Sequence, residues 1–156
     1  MNGQAPDELV TSLAKGKALA VAGKHPEAVV IGADTVVVLD GEILGKPKDP
    51  AEATSMLGRL SGRVHTVKTG LCVVREADRR ILTAVESTEV TFGELTPEQI
   101  DRYVATGEPM DKAGAYGIQE LGATLVRRVD GCYFNVVGLP LFRLARMLES
   151  FGMRIP

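Results

Sequence analysis

The sequence is short of the residues that specialised chemistry and specialised partners draw on. Tryptophan is absent and aromatics make up only 4% of the 156 residues, so a base-stacking platform for single strands is poorly supplied. The two cysteines, Cys72 and Cys132, lie far apart and form no CxxC pair, and there are only two histidines. A zinc site therefore has no ligand cluster, and the thiols read as buried and free in a reducing compartment. No apolar run reaches the roughly 18 residues that cross a bilayer. The N-terminal MNGQAPDELV has no basic stretch leading into an apolar one, so no signal peptide is expected. A cytoplasmic protein without a membrane partner is the expectation. Neither sign of charge is in excess, with 20 acidic against 18 basic residues and a net charge of -2. That gives no reason to expect a nucleic-acid polymer as partner. Neither a GxxxxGK[ST] phosphate loop nor the nucleophile elbow of a Ser-His-Asp hydrolase occurs.

What is present is the material of one domain over residues 1–156. Pro6 to Ala22 has helical spacing, with Leu9, Leu13 and Ala20 on one face and Val10, Ala14, Ala18 and Val21 on another. Ala28 to Ile31 and Thr35 to Leu39 read as two short strands, and the Asp40-Gly41 turn leads into a hairpin partner, Glu42-Ile43-Leu44. Asp49, Pro50 and Glu52 form the start signal of a helix, and Thr96, Pro97 and Gln99 repeat it. Val64 to Val74 and Ile81 to Phe92 are long extended segments, expected to pair antiparallel. Residues 108 to 124 have no clear period and read as a functional loop. Leu125 to Val129 reads as a strand with Tyr133 to Val137 as its partner. A last helix opens at Pro140, with Leu141, Leu144, Ala145 and Leu148 inward. Long strands among scattered helices point to an α/β or α+β domain with a mixed sheet.

Several side chains carry potential chemistry. Asp34 ends the apolar Val29-Val30-Ile31-Gly32-Ala33 run, where open α/β sheets collect ligands. It can hold a divalent cation or act as a base toward water, or simply cap a turn. Thr35 beside it can bond a ligand or serve the strand. Lys46 precedes a capped helix start, where a cation and free N–H groups together suit phosphate; an exposed turn lysine is the ordinary alternative. Arg63, His65 and Lys68 lie on one extended segment, and a lone histidine is more often structural than functional. Glu86 can join Asp34 at a metal or sit solvated on a strand. Lys112 can meet phosphate, and the amide of Gln119 can read a base edge because it both donates and accepts.

The stretches VIGADTVV, LGKP, MLGRLSGRVHTVKTG, STEVTF, EPMDKAGAYGIQ and DGCYFNVVGLPL together resemble the Maf family of nucleoside triphosphate pyrophosphatases over nearly the whole chain. LAKGKALAVA resembles the family's LAxxKA helix and puts Lys17 in its functional position. DKAGAYGIQ resembles the subgroup acting on dTTP and UTP. The resemblance implies an elongated mixed sheet with flanking helices and a central cleft. It also implies hydrolysis of the α–β phosphate bond to the monophosphate and pyrophosphate, a divalent cation such as Mg²⁺ or Mn²⁺, and a homodimer. It implies catalytic roles for Asp34, Lys17 and Lys46, and substrate contacts from Thr35, Lys112 and Gln119. Arg63, His65 and, as a metal ligand beside Asp34, Glu86 match less tightly.

The family's SxSPRR strand-and-loop segment is not found, so the chain reads as N-terminally truncated relative to the family, and the family's GIQG is GIQE here, with Glu120. A nucleotide-binding protein with this fold and little catalysis is the alternative.

Overall fold

The computed structural model describes residues 3–156. Helix α1 (Pro6–Ala22) opens with proline at its first position and with Asp7 and Glu8 in its first turn, where carboxylates suit the exposed N–H groups. Its buried stripe is Val10, Ala14, Ala18 and Ala22, the second of the two expected faces continued to Ala22, while Leu13 and Val21 stay exposed. Strand β1 (Val30–Leu39) is one continuous strand where two were expected. The Gly-Ala-Asp stretch breaks the apolar run but not the ladder, because β3 (Val64–Arg75) pairs with β1 from Val30↔Val74 to Val38↔Thr66.

β2 (Glu42–Leu44) forms the expected hairpin, and β4 (Arg80–Phe92) pairs with β3 along its length. β5 (Val126–Asp130) completes a five-stranded sheet in the order β2-β1-β3-β4-β5. The α/β architecture with flanking helices holds, and the described pairings are all antiparallel.

Both start signals act as read. Asp49 Oδ1 accepts from the Glu52 N–H at 2.8 Å before α2 (Pro50–Leu60). Thr96 and Gln99 exchange bonds in a full capping box before α3 (Pro97–Ala105). Two further expectations fail. Tyr133 to Val137 is a short helix, α4, not a strand. Asn135 decides this: its amide donates to Val67 O and Thr88 Oγ1, both at 3.0 Å, and so docks a helical turn on the sheet rather than extending it. In α5 (Leu141–Glu149) the inward residues are Leu144, Met147 and Leu148, while Leu141 is exposed.

The sheet has two unlike faces. α1 covers one, where its alanines meet Val30, Cys72 and Val74. The other carries α2, α3 and the 113–118 loop over Val37, Leu39, Val67 and Phe92, and α5 over Leu71 and Val73. No helix among the described residues is long and apolar enough to cross a membrane.

Candidate active site

A cleft of about 380 Å³ opens where the middle of β1 runs free of β2. Its walls come from distant places in the sequence: Lys17 on α1, Asp34 and Thr35 on β1, Lys46 after β2, Val67 on β3 and the 111–120 loop, with Val136 to Gly138 closing the side.

Alternation along β1 sends Asp34 and Thr35 to opposite faces. On the α1 face, Lys17 Nζ donates to Asp34 Oδ1 at 2.6 Å and to Ala33 O at 3.2 Å. The reach depends on how close the helix lies. A Cβ on Gly70 would stand 2.2 Å from Val10 O, and one on Gly32 the same distance from Ala14 O, so only glycine lets the α1 backbone approach. On the other face, Thr35 Oγ1 shares a 2.8 Å hydrogen bond with Thr69 Oγ1 and points toward Gly138 O at 3.5 Å, which ties the α4 turn to the cleft.

The β1–β2 pairing ends at Val37 and Leu44, and Lys46 follows two residues beyond it on the cleft wall. Gly114 N donates to Gly45 O at 3.1 Å and joins this strand end to the 111–120 loop. Within that loop Lys112 Nζ donates to Asp111 Oδ1 at 2.7 Å. This bond raises the lysine pKa and lowers that of the aspartate, so both stay charged at neutral pH. Ala115 holds a left-handed conformation, φ 64°, although it carries a Cβ and is fully buried. Strain of that kind is kept only where the surroundings enforce it. Gln119 and Glu120 are the exposed residues at the loop's tip.

Six candidates thus converge: Lys17, Asp34, Thr35, Lys46, Lys112 and Gln119. Three do not. Arg63 donates to both carboxylate oxygens of Asp40 at the hairpin turn and does not line the cleft. His65 is 2% exposed, within the cluster of Phe92 and Tyr116, with Nε2 sharing a 2.7 Å hydrogen bond with Tyr116 Oη. Burial lowers its pKa to about 4, so it is neutral and out of a substrate's reach. Glu86 lies in the row Thr35–Thr69–Glu86, whereas Asp34 lies in the row Asp34–Gly70–Val85, so the two carboxylates project to opposite faces. Glu86 instead accepts from Arg143 Nε at 2.5 Å.

The structure adds to the cleft residues to which the sequence reading gave no site role. Asp111 and Glu120 put two more carboxylates on the cleft wall, and Val136 to Gly138 supply backbone there. Asn135, fully buried, holds that wall; the one available signal was a lone amide inside the apolar Tyr133-Phe134-Asn135-Val136-Val137 run.

Residues 1–151 match the family model described as Maf-like protein. A protein of Symbiobacterium thermophilum named dTTP/UTP pyrophosphatase is 56% identical over 155 residues, which cover 99% of this chain and 79% of that protein. Proteins of the same name from Pelotomaculum thermopropionicum and Clostridium perfringens are 54% and 47% identical, with 98% and 96% of this chain covered, and 80% and 78% of theirs. A cleft whose converging residues come from the very stretches that carry the likeness, with identity of this depth along nearly the whole chain, leaves one assignment: the chain belongs to the Maf family.

Proposed function

We propose that the chain hydrolyses dTTP and UTP to the nucleoside monophosphate and pyrophosphate. The observation that carries this reading is the cleft itself: a carboxylate, Asp34, sits among three lysines, Lys17, Lys46 and Lys112, with the amide of Gln119 on the same wall. The names of the relatives point to the same substrates.

The chemistry follows from the charges. Lys46 and Lys112 attract the phosphate chain and offset negative charge growing on the leaving pyrophosphate. Lys17 is more than half exposed, which gives it freedom to turn from Asp34 toward a phosphate oxygen. Asp34, only 18% exposed, then orients a water and takes its proton. The water oxygen bonds the α-phosphorus, the bond from that phosphorus to the bridging oxygen breaks, and pyrophosphate leaves with the electron pair. Thr35 and Gln119 meet the nucleoside, with Gln119 reading the base edge through its paired donor and acceptor.

Among the described residues no group of three or more His, Cys, Asp or Glu converges. That fits a cation bound by one carboxylate and substrate phosphates, the common arrangement for Mg²⁺. Asp34 would hold it, and the bound ion would neutralise phosphate charge. A homodimeric state and a cytoplasmic setting belong to the same proposal, on the family resemblance.

The test is pyrophosphate release from dTTP, UTP, CTP, dATP and methylated GTP with Mg²⁺ or Mn²⁺. Release from dTTP and UTP well above the others is expected; no release from either overturns the reading.

A further inference from the structure

Gln119 sits on a segment with little regular structure to hold it. From the 3₁₀ turn Ala113–Ala115 to the turn Leu121–Leu125 the chain joins no strand. Ile118 is buried, while Gln119 and Glu120 are exposed on the cleft wall. A side chain that selects a base must be held within about 0.5 Å of its working position, so something has to fix this loop.

Two side chains behind the loop do so. Glu108 Oε1 accepts from Tyr103 Oη at 2.6 Å and from the Gly122 N–H at 2.9 Å. Its Oε2 accepts from the Leu121 N–H at 3.1 Å. Tyr103 Oη in turn accepts from the Gly117 N–H at 3.1 Å. Gly117 stands before the Gln119 tip and Leu121 and Gly122 after it, so both ends of the loop are tied to one pair of side chains. The ends also touch: a Cβ on Gly122 would stand 2.3 Å from Gly117 O and 2.6 Å from Tyr103 Oη. Burial opposes ionisation of Glu108, but the bonds from Tyr103, Gly122 and Leu121 win and hold its carboxyl below the usual range. The anchor is firm, since Tyr103 is 6% exposed on the doubly capped α3. Neither Tyr103 nor Glu108 lines the cleft.

We propose that Tyr103 and Glu108 are positioning residues for base selection, holding the Gly117–Gly122 loop closed so that Gln119 meets the base. The inference rests on the cleft's being a pyrimidine nucleotide site. Two of the three cleft lysines, Lys17 and Lys46, sit outside the latched loop, on α1 and after β2, while Lys112 lies against Gly117. Loss of the latch therefore relaxes base choice more than it weakens phosphate binding, which Lys17 and Lys46 sustain, and a purely structural role would not separate the two.

The experiment is Tyr103→Phe, which removes Oη and keeps the ring. Steady-state constants for dTTP, UTP and CTP are measured with product inhibition by pyrophosphate and amide hydrogen exchange at Gly117, Leu121 and Gly122. The expected result is a dTTP KM raised about ten-fold, the scale of one lost hydrogen bond. The dTTP-to-CTP preference falls by a similar factor, pyrophosphate inhibition weakens by much less, and the three amides exchange faster. An unchanged preference overturns the proposal, as does a loss of kcat shared by all substrates with pyrophosphate inhibition weakened about ten-fold as well. Glu108→Gln goes through the same series if Tyr103→Phe does not fold, and failure of both to fold also overturns it. A wild-type chain that releases no pyrophosphate from dTTP or UTP sinks the functional reading and this proposal with it; a selective wild type beside an equally selective variant sinks the proposal alone.

Discussion

The two faces of the sheet are packed on different scales. Beneath α1, Ala14 and Ala18 lie against Gly32, Val10 lies against Gly70, and the alanines meet Cys72, so backbone nearly meets backbone. On the opposite face Leu57, Leu60, Phe92, Tyr103 and Tyr116 build a thick core. The difference matters because each face delivers one part of the cleft. Close packing sets the helix-to-sheet distance, and through it the 2.6 Å contact between Lys17 and Asp34. The thick core sets volume rather than distance. The loop above it is aimed by hydrogen bonds from polar side chains: buried Tyr103 and half-buried Glu108 behind it, and buried His65 on Tyr116.

This contrast can be broken by substitution. Gly70→Val drives a side chain into the Val10 carbonyl, backbone that cannot step aside. It is expected to cost at least about 4 kcal/mol in urea unfolding, whereas Leu57→Met on the other face costs less than about 1.5 kcal/mol. Equal losses would show that the two faces are not differently built.

Next in size, Asp34→Asn keeps the shape but removes the base and the charge that Lys17 faces. Pyrophosphate release should fall about a thousand-fold with the urea midpoint little changed. Retained turnover would remove Asp34 from the chemistry.

The smallest effect sharpens the picture of the thick core. His65 is neutral when folded, with a pKa lowered by burial to about 4 from 6.5. The unfolded chain binds its proton more readily, so the stabilisation is complete above about pH 6.5 and is lost as the pH falls toward 4. Between those limits wild type should lose on the order of 2–3 kcal/mol more than His65→Gln does, measured by urea unfolding at several pH values. Parallel pH profiles for the two proteins would refute a buried neutral histidine.

Much of the fold was readable because local signals and tertiary structure agree. The Asp49 and Thr96 caps, the Asp40-Gly41 hairpin and the long β3–β4 pair all act locally. The misread elements are those where a distant partner decides. Gly32, Ala33 and Asp34 look like a break between strands, but nine consecutive pairings with β3 carry β1 through them. Tyr133 to Val137 has the composition of a strand, and Asn135 turns it helical by reaching Val67 and Thr88.

The site divides in the same way. The sequence by itself determined the chemical inventory: an acid after an apolar run, lysines at 17, 46 and 112, and an amide in a glycine-rich loop. It also determined how close α1 can lie, since residues without bulk at 32 and 70 permit it. Only the tertiary structure decided which of those groups meet. Alternation puts Glu86 and Asp34 on opposite faces, and the ladder register makes that separation final. His65 shares a face with cleft-lining Val67, yet Phe92 and Tyr116 close over it, and burial makes it a neutral part of the core rather than a ligand for phosphate.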